Sequence, residues 1–512
     1  MSATAAPRGG PSADERSMWG ALAIVTVAML ARLALAAVIP PPPDETYYWE
    51  WSRHLAASYF DHPPAIAVLV RAGVALAGVT PLGLRLGSVL AGWGASICVV
   101  LLARRLGGAR AAVRAAVIVA CVPLAAAGLV LATPDAPLLL FVAATLLALD
   151  HAVSERPGSR RATLWWLVAG AALGGALLSK YNAVLVPAGV LVAFLLVPQL
   201  RRQLATPGPW LAGVLALAAF APVLHWNAAH DWSSFRFQLA HGLDGRGGSV
   251  LGREASLLGA QLGIVSPVLL VVFVVLAARA ARRGTPRERL VAIVSAFIFL
   301  FFCASALRKP AEPNWQAPAY AGVIALAAAW WDGGWRSQRA RWLRVGCAVG
   351  AVLVLATYVQ AVRPFLPIAA NDDPTARGAG WAALARRVGV VADSVHAATG
   401  ARVWIAGDRY QEASELAFHL PSHPPVLSLN VGGRPNEYDF WPGFAERAGA
   451  GDALVLVLQP RRRVVGNRLL ILLRPLFTGL GFAGSTELRR GAEVRAVRRI
   501  WVLTGWRGRW LR

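Results

Sequence analysis

Between Met18 and Val362, apolar stretches of roughly 20 residues, the length needed to cross a bilayer, alternate with short breaks carrying Pro, Gly or charge. They predict about eleven transmembrane helices. The expected spans are Met18 to Ile39, Leu84 to Leu102, Ala115 to Ala132, Ala136 to Asp150, Leu164 to Leu178, Tyr181 to Val197, Trp210 to His225, Ala255 to Ala278, Leu290 to Ala306, Gln316 to Trp331 and Leu343 to Val362. After Pro364 the pattern changes. Alternating short strands are expected at Arg402 to Ala406 and Ala453 to Leu458, and helices at Gly380 to Ala398 and Gln411 to His419. Leu469 to Leu480 is apolar enough for a further span, but Arg474 and Pro475 in its middle point to a membrane-facing or buried segment. The chain thus reads as an α-helical polytopic membrane protein with a C-terminal extracytoplasmic α/β domain. Its expected parts are a tail over 1–16, a membrane domain over 17–363 with an outer loop at 40–83, and an outer domain over 364–512.

A chain that is 56% hydrophobic and 15% charged is no purely cytosolic enzyme. Fifty-one Lys and Arg against 27 Asp and Glu leave a net charge of +24, which in a soluble protein would suggest nucleic acid. The arginines decide otherwise. Arg104/Arg105/Arg110/Arg114, Arg156/Arg160/Arg161, Arg201/Arg202, Arg279/Arg282/Arg283/Arg287/Arg289 and Arg336/Arg339/Arg341/Arg344 all fall in alternate loops, which the positive-inside rule assigns to the cytoplasm. An odd span count then puts the N-terminus inside and everything after Arg363 outside. No nucleic-acid partner is implied. Ala34 to Ala37 resembles a signal cleavage site, but the many spans that follow favour an uncleaved anchor. Cys98, Cys121, Cys303 and Cys347 lie in apolar runs and indicate neither a disulfide framework nor a Cys-based zinc site.

The opposite loops hold the polar chemistry. Asp44-Glu45-Thr46-Tyr47-Tyr48-Trp49 and Tyr59-Phe60-Asp61-His62-Pro63-Pro64 set acids among aromatics at a membrane surface, where a carboxylate can deprotonate a hydroxyl. The alternative is an interfacial aromatic belt with incidental acids. Asp135, in the short turn Thr133 to Pro137, is either a second site carboxylate or a helix cap. Lysine is confined to Lys180 and Lys309, both on this face; a compact ammonium suits a phosphate, and Arg308 beside Lys309 adds charge. The loop from His225 through His230 and Asp231 to His241 is rich in ligands but holds no tight metal motif.

In this order the motifs resemble glycosyltransferase family 39, the group of the dolichyl-phosphate-mannose protein mannosyltransferases and the bacterial lipid A aminoarabinose transferase. The matching pieces are Asp44-Glu45, Tyr59 to Pro64, Thr133 to Pro137, Ser179 to Asn182, His225 to His241 and Lys309 to Tyr320; Asp408 to His419 and Asn436 to Pro442 resemble the outer domain of bacterial members. The resemblance implies a GT-C fold, a polyprenyl-phosphate-linked sugar donor, and transfer to a lipid or glycan acceptor on the outer face of the bacterial inner membrane. It assigns Asp44, with Glu45, as the base and Asp135 as the second acid. Lys180, Lys309, His62 and Arg308 are expected to hold the donor phosphate, and Tyr47, Tyr48, Tyr59, Tyr181, Asn182, Glu312, Asn314 and Trp315 to line the substrate. Asp61 matches a glutamate that helps bind metal, and His241 aligns with its histidine partner, so a divalent metal ion is an expected cofactor there. The chain departs from the aminoarabinose transferase at Asp61-His62, where that enzyme has Glu-Lys, and it lacks an inserted luminal trefoil, which disfavours a protein acceptor. Inverting single displacement is the implied route. The competing classes are a transporter or flippase of lipid-linked sugars, which predicts mid-span ionisable groups and internal repeats, a protein O-mannosyltransferase, and a ligase using pyrophosphate donors.

Overall fold

The computed structural model describes residues 12–243, 249–331, 337–431, 433–460 and 465–510, and the chain divides into two compact units. The first comprises Met1–Ala34 and Ser88–Thr357; the second comprises Leu35–Gly87 and Tyr358–Arg512. The first long excursion of the chain therefore belongs with its C-terminal third.

The first unit is helical throughout its described residues, and a helix occupies every expected span. Six helices among the described residues are long and apolar enough to cross a membrane: Ala13–Val38, Pro81–Gly107, Asp135–Ser154, Pro207–Ala229, Pro286–Ala306 and Ala340–Val362. Two bent pairs raise the number to eight, against the eleven or so expected. Proline accounts for much of the difference. The expected span Ala255 to Ala278 is two helices, Val250–Val265 and Pro267–Arg283, bent by 103°. Pro267 removes a backbone donor, Ser266 takes φ 100°, and the Ser266 hydroxyl caps the second helix at Leu269. Tyr181–Leu196 and Pro198–Ala205 meet at 111°, and Pro123 likewise divides Ala109–Cys121 from Pro123–Gly128. The expected tenth span is a 13-residue helix, Ala317–Ala329, buried on nearly every side. At about 20 Å it is short for a bilayer, and it packs against Ala109–Cys121, Asp135–Ser154, Pro267–Arg283 and Pro286–Ala306. Small residues permit such packing: a Cβ on Gly170 would lie 2.5 Å from the Ala212 carbonyl oxygen of the neighbouring helix.

In the second unit a five-stranded sheet has the order β2-β1-β3-β5-β4, with β1 Val403–Gly407, β2 Leu427–Ser428, β3 Ala453–Leu458, β4 Phe477–Arg490 and β5 Glu493–Trp506. The first three strands are parallel and the last two antiparallel. β3 is buried along its whole length, as a central strand written ALVLVL must be. The long β4/β5 hairpin was not foreseen; its first strand is rich in glycine and only weakly alternating. The apolar segment at Leu469 to Leu480 resolves into the end of helix Val465–Leu473, a turn at Pro475, and the start of β4. Helix Pro43–Arg53 packs on helix Tyr410–His419, and Thr46 donates to Ser414 Oγ at 3.0 Å.

Candidate functional site

In the second unit, Pro43 opens a helix whose first turn carries Asp44 and Glu45, acids favoured there by the unpaired amides and the dipole. Adjacent helical residues point about 100° apart, so the two acids meet different surroundings. Glu45 turns inward and is fully buried. Both its oxygens accept from Arg85 Nε at 3.0 Å, and Arg85 Nη2 reaches Oε2 at 2.6 Å. The same guanidinium also donates to the carbonyls of Ala36 and Ile39, at 2.9 and 2.6 Å. Glu45 is therefore a sealed structural carboxylate and not the partner base that was expected. Asp44 is exposed, and its Oδ1 accepts from the Tyr410 hydroxyl at 3.2 Å.

Beside this pair lies a buried network. Tyr47 donates its hydroxyl proton to Asp61 Oδ2 at 2.9 Å and accepts from the Glu437 amide at 2.6 Å. Glu437 in turn accepts from the Phe60 amide at 2.7 Å. Arg434 pairs with the other oxygen of Asp61. Burial raises the Asp61 carboxyl, while Arg434 and Tyr47 pull it back. Burial pushes Glu437 up to about 8 and raises the Tyr410 phenol, the latter with help from Asp44.

Several expected contacts are corrected here. Tyr47 is buried and spends its hydroxyl on Asp61 and Glu437; Tyr48 is buried against Trp51; Tyr59 is fully buried, stacked on Trp51 at 4.4 Å, and donates to the carbonyls of Trp51 and His54. These three rings build the helix support and do not line a substrate surface. His62 is half-buried, its ring 6.2 Å from that of Tyr48. The carboxylate of Asp61 is engaged by a phenol and a guanidinium, and a guanidinium in that place repels a cation, so this donor set does not fit a divalent ion as arranged. Among the described residues no group of three or more His, Cys, Asp or Glu could hold a metal. His241 belongs to helix Ser233–Leu243 in the other unit, and its side chain lies outside the described residues.

In the first unit, Asp135 opens helix Asp135–Ser154 without capping it through its side chain. Its Oδ1 accepts from Lys180 Nζ at 2.8 Å and its Oδ2 from Asn314 Nδ2 at 2.9 Å, in a nearly buried triad. The turn between Asp135 and the preceding helix, the end of helix Arg160–Leu177, and the 3₁₀ turn Pro313–Gln316 thus meet. Lys180, expected on a phosphate, is committed to Asp135. Lys309 is nearly buried and sits 4.8 Å from the Trp315 ring centroid. Arg308 and Glu312 are exposed, and Asn182 is half-buried with no partner for Oδ1. Tyr181 packs edge-on to Phe235, and its hydroxyl accepts from Asn227 at 3.5 Å. His230 stacks on Trp226 and bonds its carbonyl, while His225 is exposed.

At the other end of the same helix, Asp150 is gripped by Arg105 and by Arg287, the latter through Nε at 2.7 Å and Nη2 at 2.6 Å. Asp135 and Asp150 are about 22 Å apart along a straight helix. Within this unit, Arg105 and Arg287 from two of the Arg-rich loops and Lys180 and Asn314 from two of the polar loops thus meet opposite ends of one helix.

Arg85, Tyr410, Arg434 and Glu437 were missed from the sequence. Arg85 had a signal, a lone arginine at the Arg-poor end of an apolar span. Tyr410 and Glu437 lie inside the two outer-domain motifs, to which no chemistry was attached.

Residues 61–226 match the dolichyl-phosphate-mannose-protein mannosyltransferase family. Lipid A galacturonosyltransferase RgtD of Rhizobium johnstonii is 30% identical over 288 residues, 56% of this chain and 59% of that protein. Undecaprenyl phosphate-alpha-4-amino-4-deoxy-L-arabinose arabinosyl transferase of Pseudomonas aeruginosa is 31% identical over 210 residues, 38% of either chain. The chain thus matches less than two thirds of the length of these relatives. Among solved structures, ArnT from Cupriavidus metallidurans bound to undecaprenyl phosphate shares the fold with a TM-score of 0.63 at 19% identity, over 94% of this chain and 97% of that one. An Archaeoglobus fulgidus oligosaccharyltransferase gives 0.51 at 13%, over 85% and 68%.

Proposed function

On the premise that the chain belongs to glycosyltransferase family 39, we propose that it moves a sugar from a polyprenyl-phosphate donor to a lipid or cell-envelope glycan acceptor. It is a multi-pass membrane protein of the ArnT fold. The proposed location is the bacterial inner membrane, with the N-terminus cytoplasmic and the chemistry on the outer face; the arginine distribution supports that orientation.

Asp44 carries the reading. It is an exposed carboxylate whose helix is anchored by a sealed neighbour, and a phenol holds one of its oxygens. Asp44 takes the proton of the acceptor hydroxyl as that oxygen bonds to the anomeric carbon. The bond from the anomeric carbon to the phosphate oxygen breaks, and polyprenyl phosphate leaves with the electron pair, giving inversion. Lys309, a nearly buried ammonium beside Trp315, is the proposed partner of that phosphate. The relatives named for lipid A and aminoarabinose transfer support a lipid or glycan acceptor over a protein.

The test is incubation of the purified full chain with undecaprenyl-phosphate aminoarabinose, galacturonic acid and mannose in turn, each with an envelope lipid acceptor, followed by mass spectrometry. One donor is expected to release undecaprenyl phosphate and yield glycosylated acceptor, and Asp44→Asn to cut that turnover by about 10²–10⁴. Retained turnover in the variant removes Asp44 as base; no release from any of the three donors rejects the reading.

A further inference from the structure

A cleft of about 80 Å³ lies wholly inside the second unit, and neither Asp44 nor Asp61 lines it. It is lined by the C-terminal end of helix Pro43–Arg53, by β2 and by the 3₁₀ segment Glu437–Phe440 with the residues after it. A cleft of this size holds several ordered waters or a charged terminal group.

The polar inventory is unbalanced. Arg53 is spent, its Nη1 on Glu50 at 2.7 Å and its Nη2 on the His423 carbonyl at 2.9 Å. Burial and two guanidiniums lower His54, so its imidazole is neutral at pH 7. Arg447 faces the same carboxylate and imidazole but makes no hydrogen bond or ion pair among the described residues, which leaves one cation in excess. Tyr438 is more than nine-tenths buried, and its hydroxyl faces Glu50 and Arg53 without a hydrogen-bond partner; Ser428 Oγ is likewise unpartnered. An unpaired buried hydroxyl costs about 1–3 kcal/mol, so two unused hydroxyls and a spare guanidinium on the lining of one cleft point to an occupant that accepts. Trp441 walls the cleft, its ring 4.8 Å from that of His54 and 5.1 Å from that of Tyr438. It is half-buried and offers the aromatic face on which a sugar ring rests.

We propose that this cleft takes the phosphate or carboxylate group of an anionic saccharide, with Arg447, Tyr438 and Ser428 donating to the oxyanion and Trp441 stacking on the attached ring. Assigning that saccharide as the acceptor rests on the transferase reading; the binding does not.

The test is calorimetric titration of the purified full chain, without donor, with glucosamine 1-phosphate, galacturonic acid, N-acetylglucosamine and inorganic phosphate. One of the two anionic sugars is expected to bind at least tenfold more tightly than neutral sugar or free phosphate, and Arg447→Gln and Tyr438→Phe each to weaken it by roughly tenfold. Size-exclusion and circular dichroism profiles identify any variant that has lost its fold; Tyr438→Phe keeps the ring and its packing. Absence of binding by either anionic sugar, equal binding of inorganic phosphate, or full affinity in both folded variants overturns the proposal. Because the titration needs no turnover, a failed transfer assay with intact sugar binding, or the reverse, tells the two readings apart.

Discussion

Helix Asp135–Ser154 presents the same residue type to two different fates. At one end Asp150 accepts from two guanidiniums, three contacts in all, and its side chain is fully buried. At the other, Asp135 has one ammonium and one amide, a single donor on each oxygen. A carboxylate offers about four lone-pair sites, so Asp150 is nearly saturated and Asp135 is half used. Asp44 and Glu45 repeat the contrast between consecutive residues: Glu45 is locked by Arg85, and Asp44 is held by one phenol. Saturated acids hold elements together, and half-used acids keep capacity for a substrate.

The most severe test of that distinction is Glu45→Gln. It leaves a fully buried guanidinium without its anion and is expected to cost about 3–5 kcal/mol, read as a fall in the thermal midpoint of the purified chain. Asp44→Asn, one position away, is expected to leave that midpoint within a degree or two; an equal fall in both erases the contrast. The helix ends come next. Arg105 and Arg287 are partly exposed and can rehydrate, so Asp150→Asn is expected to cost about 3 kcal/mol or less. Asp135→Asn keeps one carbonyl oxygen to accept from Lys180 or Asn314, places an NH2 against the other donor and removes the counter-charge of the ammonium; it is expected to cost about 1–3 kcal/mol while reducing transfer more strongly than Asp150→Asn does. The reverse ranking in a paired stability and transfer assay would reassign Asp135 as structural. The remaining test is pH. Glu437 titrates near 8 in the folded chain and near 4.5 unfolded, so the folded state binds the extra proton between those values. Its contribution to stability is whole below about pH 4.5 and is lost as pH rises through 8. Glu437→Gln is expected to flatten the thermal midpoint across that window, and an unchanged slope would contradict burial as the cause.

The periodicity of the chain showed where helices run but not where they break. A run such as Ala255 to Ala278 satisfies hydropathy over its whole length, and only the local conformation at Ser266-Pro267 turns it into two arms. The α/β character of the C-terminal region was legible in its short strands at Arg402 to Ala406 and Ala453 to Leu458, though their parallel pairing was not; nor was the β4/β5 hairpin, since glycines blur its alternation. For the site, the sequence marked the acids and the lysines but could not say which acid each cation would meet. Lys180 joins Asp135 across 45 positions, Arg85 joins Glu45 across 40, and Tyr410 joins Asp44 across 366. Pairings of that kind are set by tertiary packing and leave no local spacing to read.

The last of these spans has a biosynthetic cost. The excursion at 35–87 folds with residues beyond 358, so it emerges long before its other half. At about 5–20 residues per second, the ribosome leaves it waiting roughly 15–55 s while the intervening helices are made. A premature stop anywhere in the final quarter of the gene would therefore leave the helical bundle encoded in full and still deprive Asp44 of the domain that positions it.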